Sequence, residues 1–350
     1  MKFLMRSLPL RALALPCALL VLLPSSVWAW SGQQHVQIAK AAGRNVPNEM
    51  SAFRAFSRPM AYPSIFPDLW KGADKAEGGR HYFEPDRLAD GFDLRTLSPV
   101  ESEALATAGL RRDDLGTAPW TITDMLEQMT GAMRTNDWMW AARCGAALAH
   151  YSADLHMPLH CTKNFNGQET WQHGLHTRWE SDMIKAFFRS HQIRAGQAVY
   201  LEDPFLSVMG WADHSASLVP DLLKADVIAK RSAGGHVDTE RYYRKLWDLT
   251  GDMVVEQISA SVTDLSSLWY TAWVNAGKPP IPEPFQELIS TSVHSGVGID
   301  PLIDGDMRGA PPHQKKKYDL IIWTVMGFIA LFIIGSSMWR GIQAKKPNRQ

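Results

Sequence analysis

Apolar residues recur at helical spacing over long stretches of this chain, and no stretch shows the sustained alternation typical of a β-strand. Between residues 121 and 134 the apolar positions lie three or four apart, at Ile122, Met125, Met129 and Met133. Residues 137–154 are rich in Ala and Trp and are apolar on nearly all sides, which is typical of a buried central helix. The pattern therefore favours helices packed on helices.

Residues 239–276 predict one or two further helices in the same way. Their inner stripe is expected to consist of Leu246, Leu249, Met253, Ile258, Leu265 and Leu268. Neither an internal repeat nor a low-complexity segment interrupts this region. We therefore expect an all-α fold, with residues 30–275 forming a single multi-helix domain.

The first 29 residues have the pattern of a secretory signal. Lys2, Arg6 and Arg11 precede an apolar run from Ala12 to Leu23, and small residues stand at positions 27 and 29. A retained membrane anchor is the alternative, but the run has 12 residues, too few to cross a bilayer core of about 30 Å. Cleavage before Trp30 is the prediction.

The C-terminal part predicts a spacer, a membrane span and a tail. Residues 276–317 hold seven of the 21 prolines, so a Pro-rich linker is expected there. Residues 320–339 carry no charge, which predicts a transmembrane helix over 318–339. A basic cytoplasmic tail, 340–350, would follow. With a cleaved signal, this order predicts a single-pass inner-membrane protein whose domain is periplasmic, or extracytoplasmic at a eukaryotic surface.

Histidines and carboxylates cluster between residues 149 and 183. His150 and Asp154 are four apart on the predicted central helix, so their side chains leave one face, and His176 and Glu180 repeat that spacing. His160 follows Pro158, which should end the helix and redirect the chain. Imidazole and carboxylate groups so placed suit zinc, although each histidine alone is equally a buried core residue.

Upstream residues extend the cluster into a recognisable order. With Trp30 as the new N-terminus, a free amino group precedes a nearby histidine, an aspartate and a second histidine. The nine positions are Trp30, His35, Asp68, His81, His150, Asp154, His160, His176 and Glu180. This order resembles the zinc-dependent phospholipases C, which share their fold with trinuclear-zinc single-strand nucleases.

The resemblance implies three zinc ions in an all-α domain of the phospholipase C/nuclease type. Asp68, His81, His150 and Asp154 would hold one zinc; His160, His176 and Glu180 a second; Trp30 and His35 a third, bridged to the first by Asp154. It also implies hydrolysis of phosphoric esters by a zinc-activated water, with Asp68 able to take a proton. His156 and His173 are candidates to orient these ligands.

The resemblance favours a phospholipase C without settling the substrate. The segment from His81 to Asp86 is similar to the phospholipases, whereas the segment from Asp154 to His160 is similar to the nucleases. Positions that hold choline in the best-known phospholipase carry Gln33, Leu69 and Gly78 here. A phospholipid or another phosphoester is the expected substrate, and nucleic acid is a partner only if the chain is a nuclease or nucleotidase. A non-catalytic zinc-binding envelope protein is the third alternative.

Charge and cysteine content add two constraints. The formal net charge is zero, but the signal has three basic residues and no acid, and residues 315–350 have seven basic residues and one acid. Residues 30–314 therefore carry −9, which suits a cation site better than a protein that grips nucleic-acid phosphates. Cys144 and Cys161 would remain after cleavage, and no disulfide between them is expected.

Overall fold

The computed structural model describes residues 32–286, 288 and 292–294. Within that part the chain is mostly helical and has no strand, so the all-α prediction is confirmed. The predicted signal, the transmembrane helix and Trp30 lie outside the described residues. None of the described helices combines the length and the apolar content needed to cross a bilayer.

Twelve α-helices occur in the described part of the chain. They are α1 (Gly32–Asn45), α2 (Phe53–Phe56), α3 (Phe66–Trp70), α4 (Glu101–Ala108), α5 (Arg112–Leu115), α6 (Ala118–Arg134), α7 (Trp138–Leu155), α8 (Leu175–Thr177), α9 (Ile184–Phe187), α10 (Pro204–Ser217), α11 (Val219–Ser232) and α12 (Glu240–Asn275). A π-helical turn, Arg178–Met183, joins α8 to α9. Among the 3₁₀ turns, Pro63–Ile65, Gly78–His81 and Pro158–His160 are those that carry or contact the site.

Helix α7 is the central helix that the sequence predicts. The Asp137 side chain caps its start by accepting from the Trp140 amide at 3.0 Å, and Pro158 follows its end. Helices α1, α6, α10 and α12 all contact it. Gly145 makes this close packing possible, because a Cβ there would lie 2.4 Å from Met60 Cε and 3.1 Å from Met129 Cε.

Helix α12 is one continuous helix of 36 residues. Leu246, Ile258, Leu265 and Leu268 are buried as expected. Leu249 is 41% exposed, so its place in the inner stripe is wrong. The buried face contains Thr250 and Val254 instead of Leu249. Several small polar residues of α12 are also buried against the rest of the domain. Apolar pattern alone misses such positions.

Three apolar side chains after α12, those of Phe285, Leu288 and Val293, pack against the domain. Phe285 contacts the Phe56 ring at 5.7 Å, and Leu288 and Val293 are buried. This packing is not expected of a free spacer at the start of residues 276–317. The buried apolar side chains of the described chain form one core, which meets the physical requirement for a domain that folds independently. Cys144 and Cys161 are both buried and free.

Candidate metal centre

Seven segments bring eight of the nine predicted ligands to one place in the domain. Helix α7 supplies His150 and Asp154, one helical turn apart and both fully buried. The others stand on α1, α3, the turns Gly78–His81 and Pro158–His160, α8 and the π-helical turn. They form three groups whose donor atoms lie within 4.8 Å of one another: His35, His150 and Asp154; Asp68, His81 and His150; and His160, His176 and Glu180.

Donor atoms of four predicted ligands lie close to one another at the end of α7. His81 Nδ1 lies 2.8 Å from Asp154 Oδ2 and 3.0 Å from His150 Nε2. His150 Nε2 lies 3.2 Å from Asp154 Oδ2, and Asp68 Oδ1 is 3.7 Å from His150 Nε2. Tetrahedral ligands about 2.0–2.1 Å from zinc are about 3.3 Å apart. Asp68, His81 and His150 therefore form one group, and Asp154 adjoins it through its contacts with His81 and His150.

His35 lies on the other side of Asp154. Its Nε2 is 3.3 Å from Asp154 Oδ1, and its ring stacks on the His150 ring with centroids 4.0 Å apart. Asp154 thus turns one oxygen toward His35 and the other toward His81 and His150, which is the arrangement of a bridging carboxylate. Trp30, the remaining predicted ligand, precedes α1 and lies outside the described residues.

The group of His160, His176 and Glu180 lies on the π-helical turn and on the segments that contact it. His176 Nε2 is 3.2 Å from Glu180 Oε2, and the His160 and His176 rings are 5.1 Å apart. Glu180 is buried, and burial raises its pKa to about 7 against the opposing effect of His176. Single π-helical turns often mark functional sites, because the extra residue re-aims side chains.

Backbone carbonyls orient three of the histidine rings, so that a particular ring nitrogen of each faces the other donor atoms. Nδ1 of His150 lies 2.7 Å from the Ser64 carbonyl, Nδ1 of His160 lies 2.7 Å from the His81 carbonyl, and Nδ1 of His176 lies 2.9 Å from the Phe165 carbonyl. These contacts favour Nδ1–H and leave Nε2 as a ligand. The His81 ring has the opposite orientation. Its Nδ1 faces the other donor atoms, and its Nε2 lies 3.4 Å from Glu77 Oε1.

Buried donor atoms without a hydrogen-bond partner show that the centre suits a cation. Both ring nitrogens of His35, Asp68 Oδ2, Asp154 Oδ1, His176 Nε2 and Glu180 Oε2 are in this state in the described structure. Each such atom costs about 1–3 kcal/mol when it stays unpaired. A bound metal ion would satisfy them, so the residues present fit the metal.

Asp68 and Asp154 are both ionised. Burial alone would raise the pKa of Asp68, but Lys71 and the neighbouring imidazoles outweigh it and hold the pKa at about 2. Burial is likewise outweighed at Asp154, where His150 and His160 keep the pKa well below its usual range. Anionic oxygens are thus available at neutral pH.

A cavity of about 380 Å³ opens onto the centre. Three predicted ligands form part of its wall: His81, His160 and His176. The other lining residues are Lys71, Gly78, Tyr82, Glu84, Arg87, Asp113, Leu159 and Phe165. The Lys71 ammonium lies 2.7 Å from Asp68 Oδ1 with its side chain 29% exposed. The cavity therefore joins histidine ligands, a cation and a mixed apolar and aromatic wall.

The sequence interpretation missed a chain of side chains behind His81. Tyr151 donates to Glu77, the carboxylate that faces His81 Nε2, and Tyr151 Oη is 3.2 Å from His294 Nε2. Glu77 and His81 have the same spacing of four residues that identified the other pairs, so a signal was present. His294 is 143 residues from Tyr151 in the chain and is brought to it only by the fold. His156 instead contacts the Ser152 carbonyl and Asp264, and the His173 ring lies beside Trp171.

Acid is expected to reduce the stability of the folded domain through protonation of His294. Burial, together with Arg80, lowers the pKa of His294 to about 4. In the unfolded chain its pKa is near 6.5, so the unfolded state binds more protons between pH 6.5 and 4. This contribution to stability is full above pH 6.5 and is lost as the pH falls toward 4. The unfolding midpoint of His294→Gln, measured in urea across that range, should fall less steeply than that of the wild type; equal slopes would contradict the assignment.

A buried ion pair fixes the segment that carries His176 and Glu180. The Arg178 guanidinium donates to Asp226 at 3.2 Å, to the Tyr242 hydroxyl at 3.0 Å and to the His173 carbonyl at 2.6 Å. Asp226 is fully buried and also accepts from Gln172 at 2.7 Å. The π-helical turn is thereby tied to α11 and α12.

Replacing Arg178 with methionine should destabilise the domain by about 3–5 kcal/mol, because it leaves the Asp226 charge buried and unpaired. Urea unfolding measures this change. Arg244→Met is the matched control, since Arg244 pairs with Glu240 at an exposed site, where an ion pair adds little. Equal effects of the two substitutions would show that the Arg178 pair does not support this segment.

Comparison with known proteins assigns no family to the chain. No family model matches it, and no curated protein matches it. The functional conclusion therefore rests on the geometry of the site and on the order of its ligands.

Proposed function

We propose that this protein is a trinuclear-zinc phosphoric ester hydrolase, and specifically a phospholipase C. The observation that carries the proposal is the convergence of three His/carboxylate groups, two of which place histidines in the wall of one cavity. Mixed imidazole and carboxylate donors are characteristic of zinc sites, and catalytic sites leave a position open to substrate. The resemblance stated for the nine ligands supports the same class.

Zinc, when bound, supplies Lewis acidity toward phosphoryl oxygens and lowers the pKa of a coordinated water. The protein's own residues would position the substrate around that chemistry. Asp68, which is ionised and contacts Lys71 on the cavity wall, would accept a proton. Lys71, 2.7 Å from Asp68 and on the cavity wall, offers a positive charge to a phosphate oxygen. Leu159 and Phe165 would exclude water from the apolar side of the cavity.

Phospholipid is favoured over nucleic acid because of the charge balance. Residues 30–314 carry −9, and single-strand nucleic acids are bound through grooves that are positively charged. A nuclease or nucleotidase is the second candidate, supported by Tyr82 and Phe165 in the cavity wall, where aromatic rings can stack on bases. With the predicted signal and C-terminal span, the active domain would act outside the cytoplasm, tethered to the inner membrane.

The deciding experiment uses residues 30–314 prepared with Trp30 as the free N-terminus. Metal content near three, with chelator-sensitive release of a phosphorylated head group from mixed phospholipids, is the expected result. Cleavage of single-stranded DNA without lipid hydrolysis would refute the phospholipase and favour the nuclease. Three metal ions without hydrolysis of any phosphoester would leave a non-catalytic zinc protein.

A further inference from the structure

The loop of residues 162–174, which separates two of the histidine ligands, displays an indole to solvent. Trp171 is 85% exposed, the highest value among the large apolar side chains that the structure describes as exposed. Phe165, on the same loop, is 39% exposed and lines the cavity. Phe165 thus lies in the cavity wall and Trp171 is exposed on the same loop, which makes this loop a candidate contact surface.

The loop is held firmly, so the exposure of Trp171 is not a consequence of loose structure. Asn164 Oδ1 accepts from the Glu169 amide at 2.8 Å, and the amide of Gln172 donates to the Gly167 carbonyl at 2.8 Å. Asp86 accepts from the Lys163 amide at 2.9 Å and from the Thr162 hydroxyl at 2.6 Å. The Arg178 guanidinium also donates to the carbonyls of residues 172 and 173.

The backbone at Trp171 is strained. Its φ is 61°, in the left-handed region that glycine adopts freely and tryptophan rarely does. A strained residue whose side chain is mostly in solvent gains little from packing in the folded domain. Strain of this kind is concentrated at functional sites.

The charges around the loop select the surface that Trp171 would contact. Lys163 lies 3.9 Å from Glu169, and Arg87 at the cavity wall is paired with Glu84. The loop therefore presents no free cluster of cations for nucleic acid or for an anionic membrane. Tryptophan partitions into the head-group region of a bilayer, where its ring meets apolar chains and its N–H meets water.

We infer that Trp171 inserts into the head-group region of a zwitterionic phospholipid surface and so holds the cavity against its substrate. This inference rests on the proposed function, because the cavity needs to be held at a lipid surface only if its substrate is a phospholipid. The predicted membrane span at 318–339, outside the described residues, would keep the domain beside such a surface. Phe165, partly exposed on the same loop and part of the cavity wall, would lie at the boundary between the lipid surface and the cavity.

Vesicle binding tests the inference without depending on activity. Residues 30–314 are mixed with phosphatidylcholine vesicles, and the bound fraction is measured by co-sedimentation. Trp171→Ala should bind about tenfold more weakly, the scale expected from losing a buried tryptophan. Leu249→Ala, which removes an exposed apolar side chain from α12, should bind as the wild type does. Raising the salt from about 50 to 500 mM should change binding less than about twofold, because no charge cluster is involved.

Trp171→Gly separates contact from folding. Glycine relieves the positive φ, so this variant should melt at the same temperature as the wild type or higher, yet bind vesicles as weakly as Trp171→Ala. Unchanged vesicle binding in both variants would overturn the inference. So would lost binding of a single-stranded oligonucleotide with vesicle binding intact, since Trp171 would then be a base-stacking residue.

Hydrolysis by the full chain reconstituted in phosphatidylcholine bilayers distinguishes this inference from the proposed function. Trp171→Ala should lower the rate on bilayer lipid by about tenfold and leave the rate on a soluble short-chain phospholipid within about twofold. Equal losses on both substrates would place Trp171 in the site itself and overturn the inference. A wild type that binds vesicles through Trp171 but hydrolyses neither substrate would refute only the proposed function.

Discussion

His150→Ala should lose bound metal and hydrolytic activity together. His150 belongs to two of the three donor groups, and its Nε2 lies within 3.2 Å of both His81 Nδ1 and Asp154 Oδ2. Its removal opens two sites at once, and losing an outer contact to a ligand already costs about 10–100-fold in metal affinity or activity. We expect metal content to fall from three to about one and phosphoester hydrolysis to fall more than about 100-fold.

The control for this substitution is His156→Ala. His156 is also buried near the end of α7, but its ring contacts the Ser152 carbonyl and Asp264 rather than any donor group. Elemental analysis after gel filtration, combined with the hydrolysis rate, should show full metal content in His156→Ala. Unchanged metal content in His150→Ala would refute the ligand assignment, because His150 is a donor in two of the three groups.

Asp68→Asn should abolish most of the hydrolysis while removing at most one metal ion. The Asp68 side chain is 4% exposed, and it is ionised because Lys71 and nearby imidazoles hold its pKa at about 2 despite burial. Asparagine keeps the shape but can neither accept a proton nor neutralise the cation. Losing a general base costs about 10²–10⁴-fold in rate, so we expect a fall of about 1,000-fold in kcat.

Asp74→Asn provides the comparison for Asp68→Asn. Asp74 lies six residues later, is 18% exposed and pairs with Arg80 outside the donor groups. Its rate should stay within about twofold of the wild type, as expected for a carboxylate remote from the reacting atoms. If Asp68→Asn retained the wild-type rate with full metal content, Asp68 would be neither a base nor an essential ligand. A complete loss of all metal would instead make it a structural residue of the whole centre.

The helices could be predicted from sequence because their apolar spacing is local. The prediction over residues 121–134 corresponds to α6, and that over 137–154 corresponds to α7, with ends displaced by a few residues at most. The outcome for α12 was less accurate at Leu249, which is exposed. Its buried face contains Thr250, Ser261 and Ser266, and whether a small polar residue is inside depends on the neighbouring helix rather than on its own chemistry.

The sequence by itself determined which histidines and carboxylates come in pairs on one helix face. Pairs four residues apart, such as His150 with Asp154 and His176 with Glu180, must share a helix face, so their convergence followed from helical geometry. Tertiary structure decided the rest: Asp154 turns its two oxygens to different histidines, His294 reaches Tyr151 behind His81, and the loop of residues 162–174 exposes Trp171. These relations join residues far apart in the chain or depend on backbone angles within a loop, and both are fixed by packing that no local pattern records.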